Sequence, residues 1–138
     1  MVRGKGGSKG AQRIKAALQK HKVSSAKRVI TSRDARMNAV KQTLKRPRAS
    51  MPPGVEQWQL PVTLGPRKDI LSFTGRMKPG AKVPSHAHKN DVFRVVVKGS
   101  LKTGGKTLKA GDWMFVPGGQ SYALQAGSQG AVTFYHHV

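Results

Sequence analysis

Between Gly80 and Tyr122 glycines and prolines recur at intervals that leave room only for short runs, and those runs are rich in β-branched and aromatic residues. Val-Phe-Arg-Val-Val-Val (92–97) is closed by Gly99, and Trp-Met-Phe-Val (113–116) lies between Gly111 and the turn Pro117-Gly118-Gly119. Runs of this length and composition, bracketed by turn residues, read as strands joined by tight connections. The stretch therefore dictates an all-β core.

The spacing of the same residues resembles the cupin superfamily, whose first motif is Gly, five residues, His-x-His, three or four residues, Glu, six residues, Gly. Gly80, His86, His88 and Gly99 fall on that frame. The second motif, Gly, five residues, Pro-x-Gly, two residues, His, is matched by Gly111, Pro117 and Gly119. The resemblance is to a small single-domain, RmlC-like cupin, and it implies a double-stranded β-helix, or jelly-roll, barrel. By resemblance such barrels also pair through their sheets, which implies a homo-oligomer.

Family members hold a metal with two His and a Glu from the first motif and a His from the second. Here the Glu position is Val92 and the second His position is Tyr122. Asp91 is one residue out of register, and alternation along a strand directs it to the opposite face. His86 and His88 are thus the metal ligands the resemblance implies, with Tyr122 as a third partner if polarised and one of His136 and His137 as a further imidazole. A bivalent ion in a protein cage wants three or four ligands. The half-complete set predicts a degenerate site with no cofactor, a divalent metal being the one cofactor it could hold.

The parity that turns Val92 inward also turns Arg94 and Val96 inward, unless a bulge intervenes. An arginine beside two histidines repels a cation and favours a carboxylate or similar anion. His86, His88, Arg94 and Tyr122 together form the expected pocket.

Charge divides the chain in two. Of 26 Lys and Arg against 5 Asp and Glu, 15 basic residues and one acid lie in residues 1–50, and the excess there calls for a polyanionic partner. The expected phosphate contacts are Arg3, Lys5, Lys9, Arg13, Lys15, Lys20, Lys22, Lys27, Arg28, Arg33, Arg36, Lys41, Lys45, Arg46 and Arg48. Residues 1–50 contain no aromatic side chain, so contacts would go to phosphate backbone and not to stacked bases.

Residues 1–10 are Gly- and Lys-rich and read as a flexible tail. Ile14, Ala17 and Leu18 predict a helix over Ala11–Lys22. Ser24 and Ser25 offer an N-cap for a second helix over Ser25–Lys45, with Ile30, Met37 and Leu44 spaced by seven. That narrow seam predicts an arm that orders against a partner. Lys45–Gly54, with three prolines, ends the helix and separates a basic arm (1–50) from a barrel (51–138). In the barrel, 57–62, 70–75 and 131–137 read as further strands, and Trp113 to Val116 as a strand buried on both faces.

The chain has no cysteine, which removes disulfides, thiolate metal sites and cysteine nucleophiles. No apolar run approaches the roughly 18 residues that span a bilayer, and no membrane partner is expected. The acid-poor arm is similar in composition to an organelle transit peptide, a reading its length and regular second helix disfavour. No Ser-His-Asp set, phosphate-binding glycine loop or acidic pair is present, Gly104-Gly105-Lys106-Thr107 belonging to a hairpin turn.

These features predict a non-enzymatic structural component of a nucleic-acid-rich assembly, a virion or ribonucleoprotein particle, located inside a cell or within the virion. Its arm would be anchored on phosphate backbones or an acidic protein surface, among other proteins of the assembly. The alternative is a metal-dependent cupin enzyme, a small dioxygenase or isomerase, using His86 and His88.

Overall fold

The computed structural model describes residues 9–24 and 27–137. Arg3 and Lys5 in the tail, and Ser25 of the expected N-cap, lie outside them. Seven strands follow two short helices: α1 (Lys9–Lys20), α2 (Met37–Thr43), a 3₁₀ turn (Arg48–Ser50), β1 (Val55–Leu64), β2 (Ile70–Met77), β3 (Lys82–His86), β4 (Val92–Thr103), β5 (Lys106–Lys109), β6 (Trp113–Val116) and β7 (Tyr122–His137).

All strand pairs are antiparallel, in the order β1-β2-β7-β4-β5, with β3 also on β7 and β6 also on β4. β7 is long enough to serve both ends of the sheet. Its first residues pair with β3 and with the far end of β4, while residues 131–137 lie between β2 and the start of β4. The turn glycines of the sequence pattern are required where the chain reverses. Gly99 and Gly119 both have positive φ, and a Cβ on Gly99 would collide with the backbone of Gly130.

Alternation along the strands fills one core with Phe73, Met77, Val92, Val96, Leu101, Val116, Tyr122, Leu124, Ala126, Ala131 and Tyr135. Burying a side chain such as Leu101 or Val96 is worth about 1.5–3 kcal/mol. Val92, Arg94 and Val96 all face this interior.

Two expectations fail on the barrel and its cap. The strand at 113–116 is not buried on both faces: Val116 is inside, but Trp113 and Phe115 are 61% and 53% exposed. β6 is a four-residue strand paired only with β4, and nothing among the described residues covers its outer face. Nor does a helix run from Ser25 to Lys45. Asp34 takes hydrogen bonds from the backbone N–H and the hydroxyl of Thr31 (3.1 and 2.7 Å), closing a local turn that competes with helix. Arg36 then adopts left-handed φ (65°) as the N-cap, and only Met37–Thr43 is helical.

The expected seam does not wait for a partner. Met37, Val40 and Leu44 pack on Ile14, Ala17, Leu18 and Val23 in a second core, with Ile30 and Leu71 at its edge. Leu71 also packs on the barrel core, so it joins the two. The buried side chain of Gln59 ties the cap down: its amide donates to the carbonyl of Gly10 (2.9 Å) and accepts from Arg13 Nε (3.5 Å), while its backbone N–H donates to Leu44. The seven-residue spacing is thus an intramolecular packing face.

Candidate functional site

His86 and His88 lie at the end of β3 and in the loop after it. His86 is the register partner of Tyr122 on β7, which brings their ring centroids to 4.5 Å. The loop is held by the turn of the second motif: Gly119 N–H donates to the His88 carbonyl (2.7 Å) and Gly118 N–H to Asp91 Oδ1 (2.9 Å). Asp91 therefore faces the turn, as its parity predicts.

His86 Nδ1 lies 2.9 Å from the carbonyl oxygen of Pro84. That acceptor keeps the ring proton on Nδ1 and leaves Nε2 with its lone pair, the arrangement that orients metal-binding imidazoles. His86 Nε2 and His88 Nε2 are 3.2 Å apart, a hydrogen bond in which His88 Nε2–H donates to the His86 lone pair, so the proton must leave His88 Nε2 before both atoms can hold an ion. Two nitrogen ligands at about 2.0–2.1 Å from one ion, subtending roughly 100°, stand about 3.2 Å apart. The pair fits a shared divalent ion on this distance.

A third imidazole comes from the closing strand. The His137 ring is 4.6 Å from that of His88, and Val92 sits directly opposite His137 in register. His136, one residue earlier, belongs to the other face, against Phe134. Tyr122 Oη is buried and has no hydrogen-bond partner, so it is a free donor beside His86. As the side chains stand, no three His, Asp or Glu groups among the described residues converge as a complete ligand set. Two imidazoles converge, and the third is in ring contact.

The interior beside the histidines carries the positive charge of Arg94. Burial, then the neighbouring His86 and Arg94, lower the pKa of His88. Burial, then His88 and Arg94, push His137 down to about 4. Both rings are neutral at pH 7 and have lone pairs to offer. Arg94, 9% exposed, donates from Nη1 to Thr133 Oγ1 (3.1 Å) and lies over the Tyr135 ring (4.0 Å to its centroid). Burial raises the Tyr135 phenol, against the pull of Arg94.

Of the expected set, His86, His88 and Tyr122 come into ring contact, and Arg94 turns inward without a bulge, against Thr133 and Tyr135. Tyr135 and Thr133 were not foreseen. The signal was available, because both share the inward parity of His137 on the closing strand.

The basic residues are arranged differently from an extended arm. Lys9, Arg13, Lys15, Lys20, Lys22, Lys27, Arg28, Arg33, Arg36, Lys41, Lys45 and Arg48 are exposed around the helical cap, and Arg46 is half-buried. Several have partners within the chain: Arg28 pairs with Asp34 (3.4 Å), Lys45 with Glu56 (2.8 Å), and Lys41 and Lys45 lie over Trp58. Lys45, Arg46 and Arg48 also line a surface groove of about 560 Å³ that contains none of the histidines.

A rolled antiparallel sheet with one histidine at the end of β3, another in the loop after it, and the glycine pattern of both motifs defines a cupin. Residues 36–138 match the family model of the ChrR cupin-like domain, and the chain belongs to that family. No curated protein sequence matches it. Among solved structures it is similar to a chain in the complex of Rhodobacter sphaeroides SigE with the anti-sigma ChrR (TM-score 0.57, 20% identity, covering 64% of this chain and 48% of that one). The chain thus spans about half the length of that relative. It is also similar to an RmlC-like cupin from Shewanella frigidimarina (0.52, 22%, 61% and 75%) and to Bacillus subtilis oxalate decarboxylase, described by its Mn(II) centres (0.52, 22%, 68% and 29%).

These findings overturn the expected structural role in a virion or ribonucleoprotein particle. The family is a cupin-like domain, and the similar structures are cupin enzymes and an anti-sigma complex. A high density of basic residues was misread as a polyanion anchor, whereas part of it is spent on cation–π and ion-pair contacts that hold the cap to β1. No helix among the described residues is long and apolar enough to cross a membrane.

Proposed function

We propose that the chain is a metal-dependent cupin enzyme acting on a small molecule inside its barrel, with residues 51–138 as the catalytic barrel and residues 1–50 as a basic cap. The ion is held by His86 and His88, with His137 as the third imidazole. The observation that carries this is the 3.2 Å approach of the two Nε2 atoms, with His86 fixed by its Nδ1–H to Pro84.

A bound divalent ion would supply Lewis acidity, polarising an oxygen of the substrate. The chain's own residues do the rest. Val92, Val96 and Phe73 give the interior apolar walls. Burial keeps His88 and His137 neutral. The buried Tyr122 hydroxyl, without a partner, is placed to donate a proton from Oη or to hold an oxygen of the bound molecule. The dioxygenase and isomerase classes both suit such a site.

The test is elemental analysis of the purified chain and of His86→Ala and His88→Ala, followed by turnover assays of the metal-loaded protein. Uptake near one ion per chain, lost in both variants, supports the reading. Metal-independent turnover, or no uptake, refutes it.

A second reading has its own support, since the matched family takes its name from ChrR and the similar complex pairs an anti-sigma factor with SigE. In that reading the barrel controls a protein partner. A loaded protein that turns over no small molecule but changes its affinity for a protein partner on metal removal would favour it.

A further inference from the structure

Arg94 is the one charged residue buried among the described residues, and none of their carboxylates pairs with it. No ion pair with another described residue involves it. Glu56 is engaged by Lys45 and Arg76, Asp34 by Arg28 and Thr31, and Asp91 and Asp112 by backbone N–H groups. Leaving a buried guanidinium unpaired is expensive, because its donors have lost water and gained nothing equivalent.

The guanidinium is also only partly satisfied in its hydrogen bonds. Nη1 is used by Thr133, one face is covered by Tyr135, and Nε is buried with no acceptor. Nε, the unpartnered atom, shares one edge of the guanidinium with Nη2. That edge offers two parallel N–H groups in one plane, the pattern that a carboxylate accepts with both oxygens.

We infer that the barrel interior binds a small monocarboxylate, or one carboxylate of a small organic acid, bidentate on the Nε/Nη2 edge of Arg94. The inference deepens the enzyme reading and rests on its placing of the working site inside the barrel, since it names the substrate class. A phosphate fits less well: it carries more charge than one guanidinium balances, and no second Lys or Arg is buried nearby. The position is next to the histidines. Arg94 is opposite Tyr135 in register, two residues from Val92 opposite His137, and its charge is felt at both His88 and His137. The Tyr122 hydroxyl, in the same core cluster, is a second unpartnered donor for the far end of such an acid.

The experiment is calorimetric titration of the metal-free full chain with acetate at constant ionic strength, against chloride and against uncharged acetamide. Arg94→Gln and Arg94→Lys are titrated in parallel. One saturable acetate site per chain is expected, with binding about tenfold or more weaker in Arg94→Gln, as loss of a charge-assisted pair entails. Arg94→Lys, which retains the charge without the fork, should fall between. Acetamide should not bind.

Should Arg94→Gln fail to fold, the wild-type chain labelled with nitrogen-15 answers instead. Acetate must then shift the Nε–H resonance of Arg94 saturably. Equal binding by wild type and Arg94→Gln would place the anion on the surface cations, and a wild type blind to acetate would mean that water alone fills the edge. Either result overturns the inference. Metal uptake is measured separately, so a failed metal reading shows as absent uptake while the acetate titration stands or falls by itself.

Discussion

His86 and Tyr122 are direct register partners across β3 and β7, and their rings lie 4.5 Å apart. The pairing places a phenol where cupins of the family's usual pattern have an imidazole. Tyr122→His should therefore complete the ligand set. Metal affinity is expected to rise by about tenfold or more, measured by competition with a chromophoric chelator, since a third or fourth strong ligand closes the site. An unchanged affinity would mean that Tyr122 is not at the ion.

Val92 is the other departure, and it stands opposite His137. Val92→Glu puts a carboxylate in a buried position beside Arg94 and the histidines. The metal-free variant should be less stable than wild type, because a buried carboxylate costs several kcal/mol unless well paired. Added metal should restore more stability to the variant than to wild type. Thermal denaturation with and without metal measures both.

Acid should weaken the fold through His137. Its ordinary pKa of 6.5 falls to about 4 in the folded chain, so between those values the unfolded chain binds more protons. The contribution is fully present above about pH 6.5 and is lost as pH falls through about 4. Urea denaturation across this range should show a shallower pH dependence for His137→Phe than for wild type. Metal release follows the same direction, since the ligands must be unprotonated.

The cap is predicted to be part of the folded unit. Leu44 is buried between α1 and α2 and lends its carbonyl to Gln59. Leu44→Ala should cost about 2–5 kcal/mol in local or global stability. Hydrogen exchange of α1 amides should accelerate in the same variant. If α1 exchanges at its wild-type rate, the second core does not hold the cap.

The barrel was legible because turn chemistry and strand alternation are local: Gly80, Gly99, Gly111 and Gly119 mark reversals that only glycine makes easily. His86 and His88 were marked by the resemblance to the cupin first motif, and the inward set of Arg94 followed from parity. The cap was not legible, because a seven-residue seam has the same pattern whether its partner is another chain or α1. Asp34 binding Thr31 was likewise hidden, since only the folded turn brings them together. Trp113 and Phe115 misled for a related reason: two-sided apolar alternation records composition, and the sheet leaves their outer face uncovered. His137 over His136 needed the register of β7 against β4, which no single strand reveals.

The most direct measurement is the metal content of the chain, by elemental analysis after purification without chelators and reloading, for wild type, His86→Ala and His88→Ala. The account predicts close to one divalent ion per wild-type chain and next to none in either variant, with all three folded by circular dichroism. A wild-type chain that takes up no ion, or variants that hold it as well as wild type, would contradict the account.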